Sequence, residues 1–62
     1  MKNWTPKQIK EFRNKLGLTQ TKFGEIVGVA KVTVFKWERG KRTPSKTAKI
    51  LLSRIEEEFK NK

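Results

Sequence analysis

Six basic side chains crowd the stretch "KVTVFKWERGKRTPSK": Lys31, Lys36, Arg39, Lys41, Arg42 and Lys46, against Glu38 alone. Ammonium and guanidinium groups at this density suit the neutralisation and hydrogen bonding of anionic oxygens, above all those of a polyanion. Val32, Val34, Phe35 and Trp37 are interleaved with them, so the same segment also offers apolar bulk. Other chemistries have few carriers. The chain contains neither cysteine nor histidine, which removes disulfides, thiol nucleophiles, imidazole bases and nearly every zinc site. Its carboxylates are Glu11, Glu25, Glu38 and the triplet Glu56 to Glu58, and they show no pairing suited to general acid–base work. No catalytic residue, metal, cofactor or small-molecule effector is expected.

The formal net charge is +10, and residues 30–46 carry +5 of it, while residues 47–62 carry only +1. Composition bias alone can produce such a balance, but its concentration favours a nucleic acid as partner. At 62 residues the chain is expected to form one domain over 1–62. A domain this small hides only about 60% of its unfolded surface, so packing, helix caps or a partner subunit must supply stability. The opening "MKNWTPKQIK" has no apolar run resembling a signal peptide, and "IVGVA" and "ILL" are too short to span a bilayer. A cytoplasmic protein without a membrane partner is the expectation.

How the basic groups are presented depends on the element that carries them. By propensity "VTVF" belongs in a sheet. Strand alternation, however, puts Ala30, Val32, Val34 and Lys36 on one side and Lys31, Thr33, Phe35 and Trp37 on the other, so neither face is consistently polar. Helical spacing instead aligns Ala30, Val34 and Trp37 as an apolar stripe and gathers Lys31, Val32, Phe35, Lys36 and Arg39 opposite, with Gly40 as the stop. A helix over about 30–39 is the better reading.

The flanking segments carry their own start and stop signals. Thr5 with Pro6 at N1 and Gln8 at N3 forms a capping box, with Trp4 and Ile9 as a hydrophobic staple; Ile9, Phe12 and Leu16 continue helix 1 to Gly17. Thr19 caps helix 2, about 19–27, where Phe23, Ile26 and Val27 form the stripe before Gly28. Gly24 lies inside that helix at a cost of about 1 kcal/mol relative to alanine, which implies close approach of another element, expected to be helix 3. Ser45, or alternatively Thr43 with Pro44 at N1, opens a long helix 4 whose Ala48, Leu51, Leu52, Ile55 and Phe59 face inward. The fold class is therefore all-α, a compact four-helix domain.

Helix 2, a short turn through Gly28 and helix 3 make a helix-turn-helix, whose second helix can enter the major groove of double-stranded DNA. The stretch "RNKLGLTQTKFGEIVGVAKVTVFKWERGKRTPS", Arg13 to Ser45, resembles the Cro and repressor-type (XRE-like) helix-turn-helix proteins of bacteria and their phages, whose fold is lambda-repressor-like. The resemblance covers just over half the chain and rests on the combination of LGLTQ, Gly24, VGV and WERGKRTPS. It implies a sequence-specific transcriptional regulator, a repressor acting as a homodimer on a two-fold symmetric operator. Carried over by position, Thr19 and Gln20 meet the DNA backbone, and Lys31, Val32 and Lys36 face bases, with Thr33 beside them. Lysine suits guanine O6 and N7, and Val32 suits a thymine methyl.

Arg39, Lys41, Arg42 and Thr43 are further backbone candidates, although Lys31, Lys36 and Arg39 could equally form a solvated face. Phe35 either meets a thymine methyl or sugar or folds back over helix 2 as core. Val34 and Trp37 are assigned to core. The resemblance also implies that Arg13 pairs with Glu38; two unrelated surface charges are the alternative. Leu52, Ile55 and Phe59 are candidates for a dimer contact, or they complete the monomer core.

Two departures from the family stand out. Ala30 replaces the usual Ser or Thr cap, so the first turn of helix 3 is expected to fray until DNA binds. Helix 4 runs to the C-terminus without the fifth helix that many relatives use for dimerisation. A protein-interaction module or a nonspecific nucleic-acid binder is the competing class, but the charged face argues against an apolar docking groove and the scarcity of exposed aromatics against single-strand stacking.

Overall fold

The computed structural model describes residues 4–61, so the two ends of the expected 1–62 domain lie outside the described residues. Four helices follow one another: α1 (Pro6–Leu16), α2 (Gln20–Val27), α3 (Lys31–Glu38) and α4 (Lys46–Lys60). There is no strand among the described residues. Each boundary has a local cause. The Thr5 side chain accepts from the Gln8 N–H at 3.2 Å while the Gln8 side chain accepts from the Thr5 N–H at 3.0 Å, closing a reciprocal capping box. Thr19 Oγ1 accepts from the Lys22 N–H at 3.1 Å, and Ser45 Oγ from the Ala48 N–H at 3.2 Å. Ser45, not Thr43, is therefore the cap of α4.

Two helices end on left-handed glycines, Gly17 at φ 72° and Gly28 at φ 85°, a conformation open to glycine at little cost. The chain between α2 and α3 is only Gly28, Val29 and Ala30, the short turn that a helix-turn-helix requires. Gly24 makes that turn possible. A Cβ built there would stand 2.6 Å from the Val29 carbonyl oxygen and 3.5 Å from Val34 Cγ2. The nearest approach is thus made by the backbone of the turn, with α3 itself second, whereas the sequence pointed to the helix alone. The Gly24 carbonyl also accepts from the N–H groups of Gly28 and Val29, at 2.7 and 2.8 Å.

The core joins all four helices through Ile9, Phe12, Phe23, Val27, Val34, Trp37, Ala48 and Leu52, with Trp4 beside them. Phe12 is its aromatic centre, with ring centroids 5.4 Å from Trp4, 6.1 Å from Phe23 and 6.5 Å from Phe59. Trp4 is buried as the staple requires, and its indole Nε1–H donates to Ser53 Oγ at 3.1 Å, which fastens the start of α1 to α4.

Two expectations change. Ile26 is 49% exposed rather than part of the inner stripe, because α2 turns only Phe23, Gly24 and Val27 inward. Ala30 is exposed too, since it lies outside the first turn of α3 as its N-cap. Of the three residues offered as dimer contact or monomer core, Leu52 is fully buried in the core, while Ile55 and Phe59 are half-buried, packed against it with part of their surface open.

Ala30 provides no side-chain cap, so the first turn of α3 lacks the side-chain acceptor that the other three helices possess, and the Thr33 N–H donates instead to the Ala30 carbonyl at 3.0 Å. Ala30→Ser should raise stability by about 1 kcal/mol, read as a higher urea midpoint at unchanged slope. In the unsubstituted chain, amides at the start of α3 should exchange faster than that of Trp37; uniform protection from Lys31 to Trp37 would contradict the account.

Candidate nucleic-acid interface

Burial of Val34 and Trp37 fixes which side of α3 faces out. Val32 is 55% and Phe35 43% exposed, Lys31 and Arg39 are exposed, and Lys36 is half-buried. Phe35 thus points outward and does not fill core, and the buried Trp37 acts as a packing anchor. The Arg39 guanidinium lies over the Phe35 ring, 5.5 Å from its centroid. Thr33 differs from its neighbours: it is half-buried on the flank of α3, lining a shallow depression with Val29, Arg42, Thr43 and Ser45.

After α3 the chain reverses at Gly40, φ 75°. The Lys36 carbonyl accepts from the Lys41 N–H at 2.9 Å and from that of Arg42 at 3.4 Å, which folds the basic loop back beneath the end of α3. Lys41, Arg42 and Thr43 are all exposed there.

The other flank is held by a polar junction of four segments. Arg13 Nε donates to Glu38 Oε2 at 2.6 Å and Nη2 to Glu38 Oε1 at 3.2 Å, a bidentate pair whose side chains are 14% and 6% exposed. Arg13 Nη1 donates to the Leu18 carbonyl at 3.0 Å, and Gln20 Nε2 to Glu38 Oε1 at 3.3 Å. One guanidinium thereby ties α1 to the α1–α2 turn and to the last residue of α3, and the start of α2 joins through Gln20. No buried polar side-chain atom among the described residues lacks a partner, so the desolvated charges are compensated.

Above this junction Lys10, Gln20, Phe35 and Arg39 line a cleft between α1, α2 and α3. The structure therefore brings Gln20, Phe35 and Arg39 together on one flank and Thr33, Arg42 and Thr43 on the other, with Val32 and Lys36 exposed or half-exposed on α3. Thr19 is exposed at the entrance of α2, its hydroxyl oxygen engaged as a cap. Sequence reasoning missed two features. Lys10 precedes Arg13 by three residues and so shares its face of α1, a spacing that could have marked it. The bond from Gln20 to Glu38 had no signal, since it depends on how α2 meets α3.

A comparison with protein families matches residues 9–55 to the family described as Helix-turn-helix. The chain is 40% identical over 57 residues to an uncharacterized HTH-type transcriptional regulator of Archaeoglobus fulgidus, covering 84% of this chain and 81% of the relative. A second regulator of the same description from that organism is 39% identical, with 84% and 80% covered. A third, from Methanothermobacter thermautotrophicus, is 46% identical over 37 residues, 60% of this chain and 54% of that one. All three relatives are archaeal, so the bacterial or phage origin implied by the resemblance gains no support from them. No solved structure matches the chain at a significant level.

The junction makes a specific energetic prediction, because removing one member leaves the other desolvated charge unpaired. Glu38→Leu or Arg13→Met alone should cost about 3 kcal/mol, whereas the double variant should recover most of that loss. Urea unfolding of the four proteins measures the coupling, and additive losses would show that the pair does not act as a unit.

Proposed function

The chain belongs to the helix-turn-helix family, and on that premise we propose that it is a sequence-specific DNA-binding transcriptional regulator, a repressor, that inserts α3 into the major groove. It is a regulator and not an enzyme. The observation that carries the reading is the outer face of α3, where Lys31, Val32, Phe35, Lys36 and Arg39 combine hydrogen-bond donors with apolar surface. Phosphate contacts need only the former; base edges, with their acceptors and thymine methyls, use both. Lys31, Val32 and Lys36 are the proposed readers, with Phe35 against a thymine methyl and Thr33 at the margin. Thr19, the N-terminus of α2 at Gln20, and the loop residues Lys41, Arg42 and Thr43 meet phosphates, and Lys10 adds a further cation on the α1 side.

A homodimer on a two-fold symmetric operator completes the proposal. The eight residues of α3 span about 12 Å, enough for about four base pairs, so one copy reads only a short half-site. Two copies would read half-sites about 34 Å apart. The surface that suits their contact is the outer side of α4, where Ile50 is 39% exposed and Leu51, Arg54, Glu57 and Glu58 surround it. Opposite charges on one patch favour a self-complementary contact, and residues 47–62 add only +1 to the repulsion between two basic chains.

Reader and clamp residues should separate under mutation. Lys36→Ala should relax preference at one base-pair position, while Lys41→Ala should weaken binding to all duplexes alike and reduce the salt slope by about one unit. Anisotropy titrations at several salt concentrations, with duplexes varied one position at a time, check both. Identical behaviour of the two variants would contradict the assignment.

A further inference from the structure

Arg39 lies at the end of α3, where a basic residue ordinarily reaches a phosphate, but its setting is unusual for a backbone clamp. Here the guanidinium is laid over the Phe35 ring, 5.5 Å from the centroid, and is bent back along α3 from its own position one turn later. That contact uses the face of the ring and engages none of the guanidinium's N–H donors in a hydrogen bond. Among the described residues no carboxylate or carbonyl takes those donors, in contrast to Arg13, whose donors are taken by Glu38 and Leu18. A planar fork with unpaired donors matches the O6 and N7 acceptors of guanine.

The ring beneath it supplies the second half of the argument. Phe35 is 43% exposed and Val32, one turn earlier on the same side, is 55% exposed. Side by side on one face of α3, these two large apolar side chains suit a partner that presents apolar surface of its own. The major groove offers one such group, the C5-methyl of a pyrimidine, carried by thymine and by 5-methylcytosine. The guanidinium and the ring lie 5.5 Å apart, close enough for one to meet a base pair while the other meets its neighbour, since successive pairs are about 3.4 Å apart.

We propose that Phe35 and Arg39 act as one specificity-determining unit that recognises a 5-methylpyrimidine adjacent to a guanine, with Phe35 both contacting the methyl group and holding the Arg39 fork for bidentate pairing. Arg39 is then a base reader and not a backbone clamp, and Phe35 is its positioning residue. The unit rests on the proposed DNA-reading role of α3 and narrows it to a dinucleotide. The bidentate pair between Arg13 and Glu38, the residue between Trp37 and Arg39 in the chain, fixes the end of the helix from which both groups project.

The test begins by selecting preferred sites from a random duplex library with the full chain. The selected half-site should contain thymine beside guanine. Replacing that thymine by deoxyuridine, which lacks the methyl, or that guanine by 7-deazaguanine, which lacks N7, should each weaken binding about tenfold in anisotropy titrations. Arg39→Lys, which keeps the charge, should lose a similar factor on the selected duplex, leave binding to scrambled duplex unchanged, and no longer respond to 7-deazaguanine. Phe35→Leu should retain part of the response to the methyl group while losing discrimination at the guanine. Circular dichroism of both variants verifies the fold. If a clear site is selected but Arg39→Lys leaves its recognition intact, or neither base analogue changes affinity, the unit is overturned while the reading role of α3 stands. If no sequence is enriched at all, both fall together.

Discussion

The position of α3 depends on one carboxylate. Glu38 is the last residue of the helix, it is almost wholly shielded from water, and it accepts from Arg13 twice and from Gln20 once. Three of the four helices therefore meet at a single acidic side chain, in a region where the surrounding charges are overwhelmingly basic. Such a junction adds less net stability than its bond count suggests, since desolvation offsets much of the attraction. Its effect is directional. A fork-to-carboxylate pair is satisfied in one geometry, so it sets where α3 ends and which way its outer residues project.

Core packing and the α2–α3 turn impose the other limits. Val34 and Trp37 bury one side of α3, which leaves Val32, Phe35, Lys36 and Arg39 outward. Gly24 lets the Val29 carbonyl approach to a distance that a side chain would block, so the turn can be three residues long and the two helices can pack directly. The first turn of α3 is the only helix start among the described residues without a side-chain cap.

The elements were legible because their ends are marked by residues with few alternative uses. Thr5 with Pro6 and Gln8, Thr19, Ser45, Gly17 and Gly28 each have a local hydrogen-bonding or backbone reason that does not depend on the rest of the fold. Faces were legible where the stripe was long, as in α1 and α4, and less so in α2 and α3. Each of these has eight residues, so a wheel places Ile26 and Ala30 only within broad limits, and both prove exposed. The junction was half legible. Family resemblance implied Arg13 and Glu38, but Gln20 joins them through the angle at which α2 meets α3, which sequence spacing does not encode. The stacking of Arg39 on Phe35 is a rotamer choice on an exposed surface and was equally out of reach.

The central claim is that α3 reads base sequence rather than merely supplying positive charge. The direct measurement is a fluorescence-anisotropy titration of the intact chain against its best selected duplex and a scrambled duplex of equal length, each at two salt concentrations. The account predicts a preference of about a thousandfold or more for the selected duplex that persists at the higher salt. Equal affinities that collapse together as salt rises would contradict it, leaving a +10 chain that binds phosphate and reads nothing.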